Sequence, residues 1–336
     1  MLRVGINPYG VSYTVLGWPG GGTPRANPDP WGLSRYLDLA AELGARVVEI
    51  PMPLLENLDD TGWNSLLERL AQMDAQPVAS QTARLNDIQA SLKLAARLGA
   101  RILRVSATSV LAGGRAFHKP PWREVFEGVV LALAGSAPRA ADAGIALAIE
   151  NHQDFTSVEL LGLCAPYGPH VGICLDTGNA LAVGEDPIAF VRAVAPRVRH
   201  VHLKDYKVQW TAEGYRLLRC ATGHGAIPFE ALLKELKVHH AELPAALEPG
   251  ALEARHVRVL NPSWWSGYSP RPAEALAAGL AAARKGLLAE HEEWRTPWEL
   301  GAGSADLVAF ELEQLRASAE WARSRGLMAP KGSSAP

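Results

Sequence analysis

Four apolar runs end in residues able to hold a metal ion: Glu150 in "IALAIE", Asp176 in "VGICLD", His202 in "RVRHVHLKDY" and Glu248 in "LPAALE". Three carboxylates gathered in a poorly hydrated pocket repel one another and take up protons unless a cation neutralises them. Oxygen donors with one imidazole suit a single divalent cation, Mn2+ first, with Mg2+ or Co2+ as substitutes, better than a thiolate-rich zinc site would. The question is whether the fold brings these four side chains to one point.

The elements that must do so are legible as a repeat. "LAAELGARVVEI" (39–50) returns as "LAARLGARILRV" (94–105) and, more loosely, as "RAADAGIALAIE" (139–150). Each copy reads as a helix end, a Gly suited to a left-handed cap, and an apolar strand. Eight strands are expected near 2–6, 46–51, 76–80, 101–106, 145–150, 171–176, 198–204 and 243–248. Helical patterns lie near 33–43, 61–75, 85–98, 122–143, 157–165, 186–195, 229–240 and 271–290. Alternating βα units over this length predict an α/β fold, a (β/α)8 TIM barrel with long βα loops and an extra C-terminal helix. The alternative, a doubly wound open sheet, calls for a Gly-rich phosphate turn; "GWPGGGTP" (17–24) does not match GxGxxG. Residues 1–290 are assigned to the barrel, 291–325 to a helical extension of the same domain, with its helix at about 303–325, and 326–336 to a disordered tail.

Alternate residues of a barrel strand face inward. With Ile145, Leu147 and Ile149 outward, Glu150 points in; the same phase turns Asp176, Glu248, and the trio His200, His202 and Lys204 inward. Small residues fill the lower layers of three of these strands and a carboxylate crowns each. Consecutive strands therefore aim Glu150, Asp176, His202 and Glu248 at one point near the C-terminal strand ends, where such barrels place their chemistry. Lys204, inward above His202, either polarises a carbonyl or bridges to a carboxylate.

Two long loops leave that same face. Residues 7–32 and 249–270 are rich in Gly, Pro and aromatic residues, the second carrying Trp264 and Trp265 in "NPSWWSGY". They serve as lids and substrate walls, or as an oligomer interface. A short hairpin is expected at 206–218, "YKVQWTAEGYRLL", which with Trp264 and Trp265 deepens the pocket. Aromatic faces of this kind stack on sugar C–H surfaces. A formal charge of −2 gives no reason to expect nucleic acid or an anionic membrane as partner. Three scattered cysteines, no CxxC, no apolar run of spanning length and an N-terminus without signal-peptide character predict a reduced, cytoplasmic protein.

The stretches "LAIENH", "CLDTGN", "VHLKD", "TGHGAIPF" and "ALEPG" resemble the xylose isomerase-like TIM-barrel superfamily, the sugar phosphate isomerase/epimerase group. That resemblance implies that Glu150, Asp176, His202 and Glu248 bind the metal and that Glu150 and Glu248 double as acid/base catalysts. It implies a substrate-holding role for Arg219 and places Asn179 where many epimerases carry a substrate-contacting His. His152, just past the first ligand, is an additional acid/base or a support for the ligand. The histidines that build a three-metal cluster in the endonuclease branch are missing from "VASQ" and "RVSA", which argues against DNA repair. The implied activity is a metal-dependent isomerase or epimerase working through an enediolate on a ketose, aldose or sugar-like acid. A metal-dependent lyase of the same chemistry (dehydratase, decarboxylase or glycoside-cleaving) on a keto-sugar is the alternative, and a non-catalytic sugar-binding barrel or the subunit of a complex the third. The expected partner is a small sugar, with the C-terminal helix a candidate contact for a homo-oligomer.

Overall fold

Three helix-to-strand junctions use one backbone device. Gly44, Gly99 and Gly144 all adopt φ between 66° and 74°, the left-handed region that ends a helix without a Cβ penalty. The Gly44 N–H reaches back to the carbonyls of Ala40 and Ala41, and the chain turns directly into the next strand. These are the glycines of the sequence repeat.

The computed structural model describes residues 2–17, 25–82, 85, 88–250 and 252–329. Its core is a closed barrel of parallel strands: β1 (Leu2–Ile6), β2 (Val47–Pro51), β3 (Gln76–Thr82), β4 (Ile102–Ser106), β5 (Ala146–Glu150), β6 (Val171–Asp176), β7 (Val198–Leu203) and β10 (Leu243–Leu247). They close in the order β1-β10-β7-β6-β5-β4-β3-β2, with β10 beside β1 from Leu2↔Leu243 to Ile6↔Leu247. Between them run α2 (Gly32–Leu43), α3 (Asp60–Gln72), α4 (Gln89–Arg97), α5 (Trp122–Asp142), α6 (Ser157–Cys164), α7 (Pro187–Val194) and α8 (Phe229–His239). The fold is a TIM barrel, as its sequence pattern predicts, and the C-terminal helix is present. Among the described residues no helix is long and apolar enough to cross a membrane.

Four features depart from the sequence pattern. The hairpin runs longer than 206–218, as β8 (Asp205–Thr211) and β9 (Gly214–Cys220), and gains a third strand, β11 (Arg255–Val257), from the loop after β10. The helical pattern at 271–290 yields only α9 (Ala273–Arg284), and it is not a wall helix. Arg271 donates to the Val183 carbonyl (2.7 Å), and a Cβ at Gly279 would stand 2.6 Å from the Gly184 carbonyl oxygen. Small residues allow that close approach but bury little apolar area. The wall position is taken by α10 (Ser304–Ser324), whose Leu307, Leu312, Leu315, Ala319 and Trp321 are buried. Trp321 packs on Phe229 of α8 (ring centroids 4.7 Å apart), and Arg316 pairs with Glu42 of α2 (3.4 Å). Leu327 and Met328, assigned by sequence to a disordered tail, are buried; residues 330–336 lie outside the described residues.

The first long loop holds the fourth difference. Its Gly-rich stretch 18–24 lies outside the described residues, but residues 8–16 form a 3-10 turn and a short helix, α1 (Ser12–Leu16). Five residues cannot sustain a helix by propensity alone. A carboxylate 297 residues away in sequence supplies the missing acceptor: Glu311 of α10 accepts from Thr14 N (2.9 Å), Thr14 Oγ1 (2.8 Å) and Tyr13 N (3.2 Å).

Burial pushes the Glu311 carboxyl up to about 7 from an ordinary 4.5, with the Thr14 contacts opposing. The folded protein thus holds this proton more tightly than the unfolded chain. Its contribution to stability is complete below about pH 4.5 and is lost as pH rises through about 7. Glu311→Gln removes that dependence. Urea unfolding at pH 5 and pH 8 is expected to show the variant gaining about 2–3 kcal/mol relative to wild type between the two.

Candidate metal centre

The barrel lumen is built in layers. Its lower level is apolar, made by Val47, Val78, Ile102, Ala148 and Cys174. Above it sit Glu49, Arg104 and His200, then Asn7, Ser106, Glu150, Asp176, His202 and Glu248, all less than 5% exposed. Strand register sets this: Asp176 stands opposite His202 across β6 and β7, and Ala246, two residues before Glu248, stands opposite His202 across β7 and β10.

The four predicted ligands converge. Glu150, Asp176, His202 and Glu248 each offer one donor atom, and the four atoms lie within 4.8 Å of one another. That span is the diameter of a coordination shell with ligand distances of about 2.1–2.5 Å. His202 Nδ1 faces Glu150 Oε1 (3.2 Å) and Glu248 Oε2 (2.8 Å). The far oxygen of Glu150 accepts from Ser106 Oγ (3.0 Å) with Arg104 at 3.4 Å, and Glu248 Oε2 accepts from Asn7 Nδ2 (2.7 Å).

Local motifs explain the rigidity. Asn151 clips β5 to β6, donating to the Asp176 carbonyl (2.9 Å) and accepting from its N–H (2.7 Å). Asp176 Oδ1 accepts the N–H groups of Gly178 (3.0 Å) and Asn179 (3.2 Å), which leaves Oδ2 toward the cluster. Thr177 Oγ1 donates to the Lys204 carbonyl (2.6 Å) and accepts its N–H (2.9 Å). Asp205 gathers the N–H groups of Tyr206, Gly223, Gly225 and Ile227 at 2.8–3.1 Å, so "KD" and "TGHGAI" form one clamp. Gly225 is required there, since a Cβ would stand 2.3 Å from the Tyr206 carbonyl oxygen.

The remaining predicted residues fall in different places. Lys204 is buried and ion-paired with both Asp176 Oδ2 and Glu248 Oε1, each at 2.5 Å. His152 is half-buried beyond Glu150, with Nδ1 unpaired. Asn179 accepts from Tyr206 OH (3.0 Å) and keeps its Nδ2 without a partner. Arg219 packs over Gly250, two residues past Glu248. Trp264 is 2% exposed and stacked on Tyr268 (4.5 Å), inside the loop that covers the rim. Trp265 is half-buried, its indole N–H donating to the Val259 carbonyl (3.0 Å).

Four residues of the site went unread in the sequence: Asn7 and Ser106, which donate to Glu248 and Glu150, and the pair Glu49 and Arg104. Glu49 accepts from His202 Nε2 (2.7 Å) and His200 Nε2 (3.0 Å), and its other oxygen lies 3.5 Å from Arg104 Nε. Both Glu49 in "VVEIP" and Arg104 in "ILRVS" interrupt apolar strands at the inward phase, the signal that found the ligands. Cys174, His200 and His202 also approach one another, but burial raises the Cys174 thiol to about 12, and His200 is spent on Glu49 and the Pro244 carbonyl.

Electrostatics follow from the packing. Burial opposes the charge of Glu248, yet Lys204 and His202 hold it well below the usual carboxylate range. Burial also opposes Glu150, and Arg104 with His202 outweighs it. Asp176 is pushed up to about 6 by burial, with Lys204 pulling the other way. Burial lowers His152 to about 4, so it is neutral near pH 7. Burial opposes a charge on His202, yet Cys174, Glu49 and Glu248 raise its pKa well above the usual imidazole value. As a metal ligand it would be neutral, and with His200 neutral too the lumen would hold four carboxylates (Glu49, Glu150, Asp176, Glu248) against the two cations Arg104 and Lys204. The deficit of two positive charges is the charge of one divalent ion, and the donor set fits it.

Comparison with known proteins agrees with this fold. The chain is 26% identical over 247 residues to a 3-oxo-isoapionate decarboxylase of Pectobacterium atrosepticum, covering 70% of this chain and 86% of that one. Among solved structures it resembles an L-ribulose 3-epimerase (TM-score 0.56, 17% identity, 97% of each chain). It also resembles the IolI protein with a bound zinc atom (TM-score 0.55, 17% identity, 84% of this chain and 95% of that one). The family described as xylose isomerase-like TIM barrel matches residues 37–259, a stretch that contains every barrel strand but the first as well as all four converging donors. The chain belongs to that family.

Proposed function

We propose that this protein is a divalent-metal-dependent isomerase or epimerase acting through an enediolate on a ketose, aldose or sugar-like acid. The observation that carries the reading is the pair Glu150 and Glu248. Both are buried, they approach His202 Nδ1 from different strands, and each is fixed by its own partners. A binding scaffold has no use for two such carboxylates.

Glu150, Asp176, His202 and Glu248 would hold the cation, with Mn2+ favoured by the oxygen-rich set and Mg2+ or Co2+ as substitutes. When bound it acidifies a C–H beside a carbonyl and stabilises the negative charge that develops on oxygen. Glu150 and Glu248 take a proton from one face of that carbon and return one to the other. Lys204, tied to Asp176 and Glu248, keeps both anionic at neutral pH and balances the charge that moves. Glu49 fixes the ring of His202 through Nε2, leaving Nδ1 to face the cluster. Arg219 and the free amide of Asn179 orient the substrate, and neutral His152 is a further proton carrier beside Glu150.

A lyase is the second reading, favoured by the decarboxylase relative matched across 70% of the chain. It uses the same carbanion chemistry and differs in what leaves.

Deuterium wash-in from D2O into a panel of keto-sugars and sugar acids tests the proposal. Exchange with rearranged sugar supports the isomerase, exchange with loss of CO2 or water supports the lyase, and no exchange anywhere refutes both. Glu150→Gln and Glu248→Gln, assayed at saturating Mn2+, are each expected to slow exchange by at least about 100-fold. A near-normal rate in either removes its acid/base role.

Glu49→Gln addresses the metal separately. Divalent affinity, read by competition with a chromophoric chelator, is expected to weaken by about 10–100-fold while far-UV dichroism stays unchanged.

A further inference from the structure

The three-stranded sheet beside the mouth carries chemistry that the metal ligands do not use. Its register places Tyr206 opposite Arg219, Val208 opposite Leu217, and Leu217 opposite Arg255. Residues directly opposite in an antiparallel pair share a face. Tyr206, Val208, Leu217, Arg219 and Arg255 therefore lie on one side of the sheet. Tyr206, Val208 and Leu217 are completely buried, and Tyr206 OH donates to Asn179 in the loop after β6, so this is the side turned to the barrel. Two guanidinium groups stand as diagonal neighbours on it.

Their surroundings are unbalanced. Arg255 pairs with Glu253 (2.9 Å), its side chain only 15% exposed. Arg219 has no hydrogen bond or ion pair among the described residues, and the Nε atoms of both arginines are buried without a partner. A Cβ on Gly250 would stand 2.5 Å from Arg219 Nη1, which sets this guanidinium at the rim two residues beyond Glu248. Burial lowers the Arg255 pKa and the Arg219 charge lowers it further, the mark of like charges held close. Glu311 also feels Arg219, but its oxygens are committed to Tyr13 and Thr14. Inside the barrel a divalent ion would balance the lumen. At the rim, Arg219 and Arg255 against Glu253 leave one positive charge and unused donors.

We infer that Arg219 and Arg255 form a subsite for one carboxylate, so that the substrate is a sugar acid held by its acid end at the rim of the metal centre. This rests on the reading of the site as an enolising sugar enzyme and narrows its substrate class. Guanidinium groups recognise carboxylate and phosphate alike. A single surplus charge matches a monoanion, which selects the carboxylate.

The test uses the full-length, Mn2+-loaded protein and ligands that cannot react. D-gluconate and D-galactonate have the carbon chains of D-glucitol and galactitol, differ from them in the acid group, and carry no aldehyde or ketone to enolise. Calorimetry is expected to find at least one aldonate binding 10-fold or more tightly than its alditol. Arg255→Gln should weaken that aldonate by 10–100-fold and leave alditol binding within twofold. Arg255→Lys, which keeps the charge and loses the planar fork, should fall between and serves where the Gln variant does not fold. The inference is overturned if alditols bind as well as aldonates, if both Arg255 variants bind the aldonate like wild type, or if glucose 6-phosphate outcompetes it. Failure of deuterium exchange would sink the enolisation reading and leave these affinities untouched, so the two can fail separately.

Discussion

The structure depends on keeping four carboxylates charged inside a closed barrel. Glu49, Glu150, Asp176 and Glu248 are all under 5% exposed, in a medium where an unpaired charge costs several kcal/mol. Two fixed cations, Arg104 and Lys204, meet half of the demand. With His202 neutral, as a metal ligand would be, two further positive charges are wanted, and one divalent ion carries both. Metal affinity is therefore a consequence of barrel closure: the strand pairing that closes the barrel is what brings these oxygens together.

That constraint explains why so much of the polar sequence is spent away from the reacting atoms. Asn151, Thr177 and Asp205 are not among the converging donors. They tie the ends of β5, β6 and β7 to one another and to the following turns with hydrogen bonds of 2.6–3.1 Å. A set of donors that must converge within a few ångströms cannot tolerate strand ends that fray. The recognisable stretches "ENH", "CLDTGN", "HLKD" and "TGHG" are thus mostly scaffolding, with one ligand in each of the first three.

How much of this was legible follows from the range of each interaction. Strand phase is local, so the inward direction of Glu150, Asp176, His202 and Glu248 could be read from alternation alone. Glu49 and Arg104 obeyed the same alternation, but each stands alone in its strand, and only the closed barrel shows that they face His202 and Glu150. Helix identity was legible and helix destination was not. The windows for α9 and α10 both read as helices, and their order along the chain favoured α9 for the barrel wall. What decides is the width of the apolar face: α10 offers Leu307, Leu312, Leu315 and Trp321, while α9 buries only Gly279, Ala282 and Ala283. Glu311 had no local signal at all, because its partners sit at the other end of the chain.

The division between lumen and rim also separates what fixes the reaction from what fixes the substrate. The lumen donors span a few ångströms, so in the proposed reaction they would engage only the carbon that loses its proton and the oxygens beside it. Nothing there senses whether a molecule ends in a hydroxymethyl group or an acid. The rim sheet is made from segments outside the barrel strands, the hairpin after β7 and the loop after β10, joined as β9 and β11. Changes in those segments leave the lumen register alone, since among the described residues no barrel strand pairs with them. A barrel of this construction can change its substrate by rewriting Arg219, Arg255 and their neighbours while the charge balance around His202 stays as it is. Substitutions of Glu49 or Arg104 disturb that balance whatever the substrate.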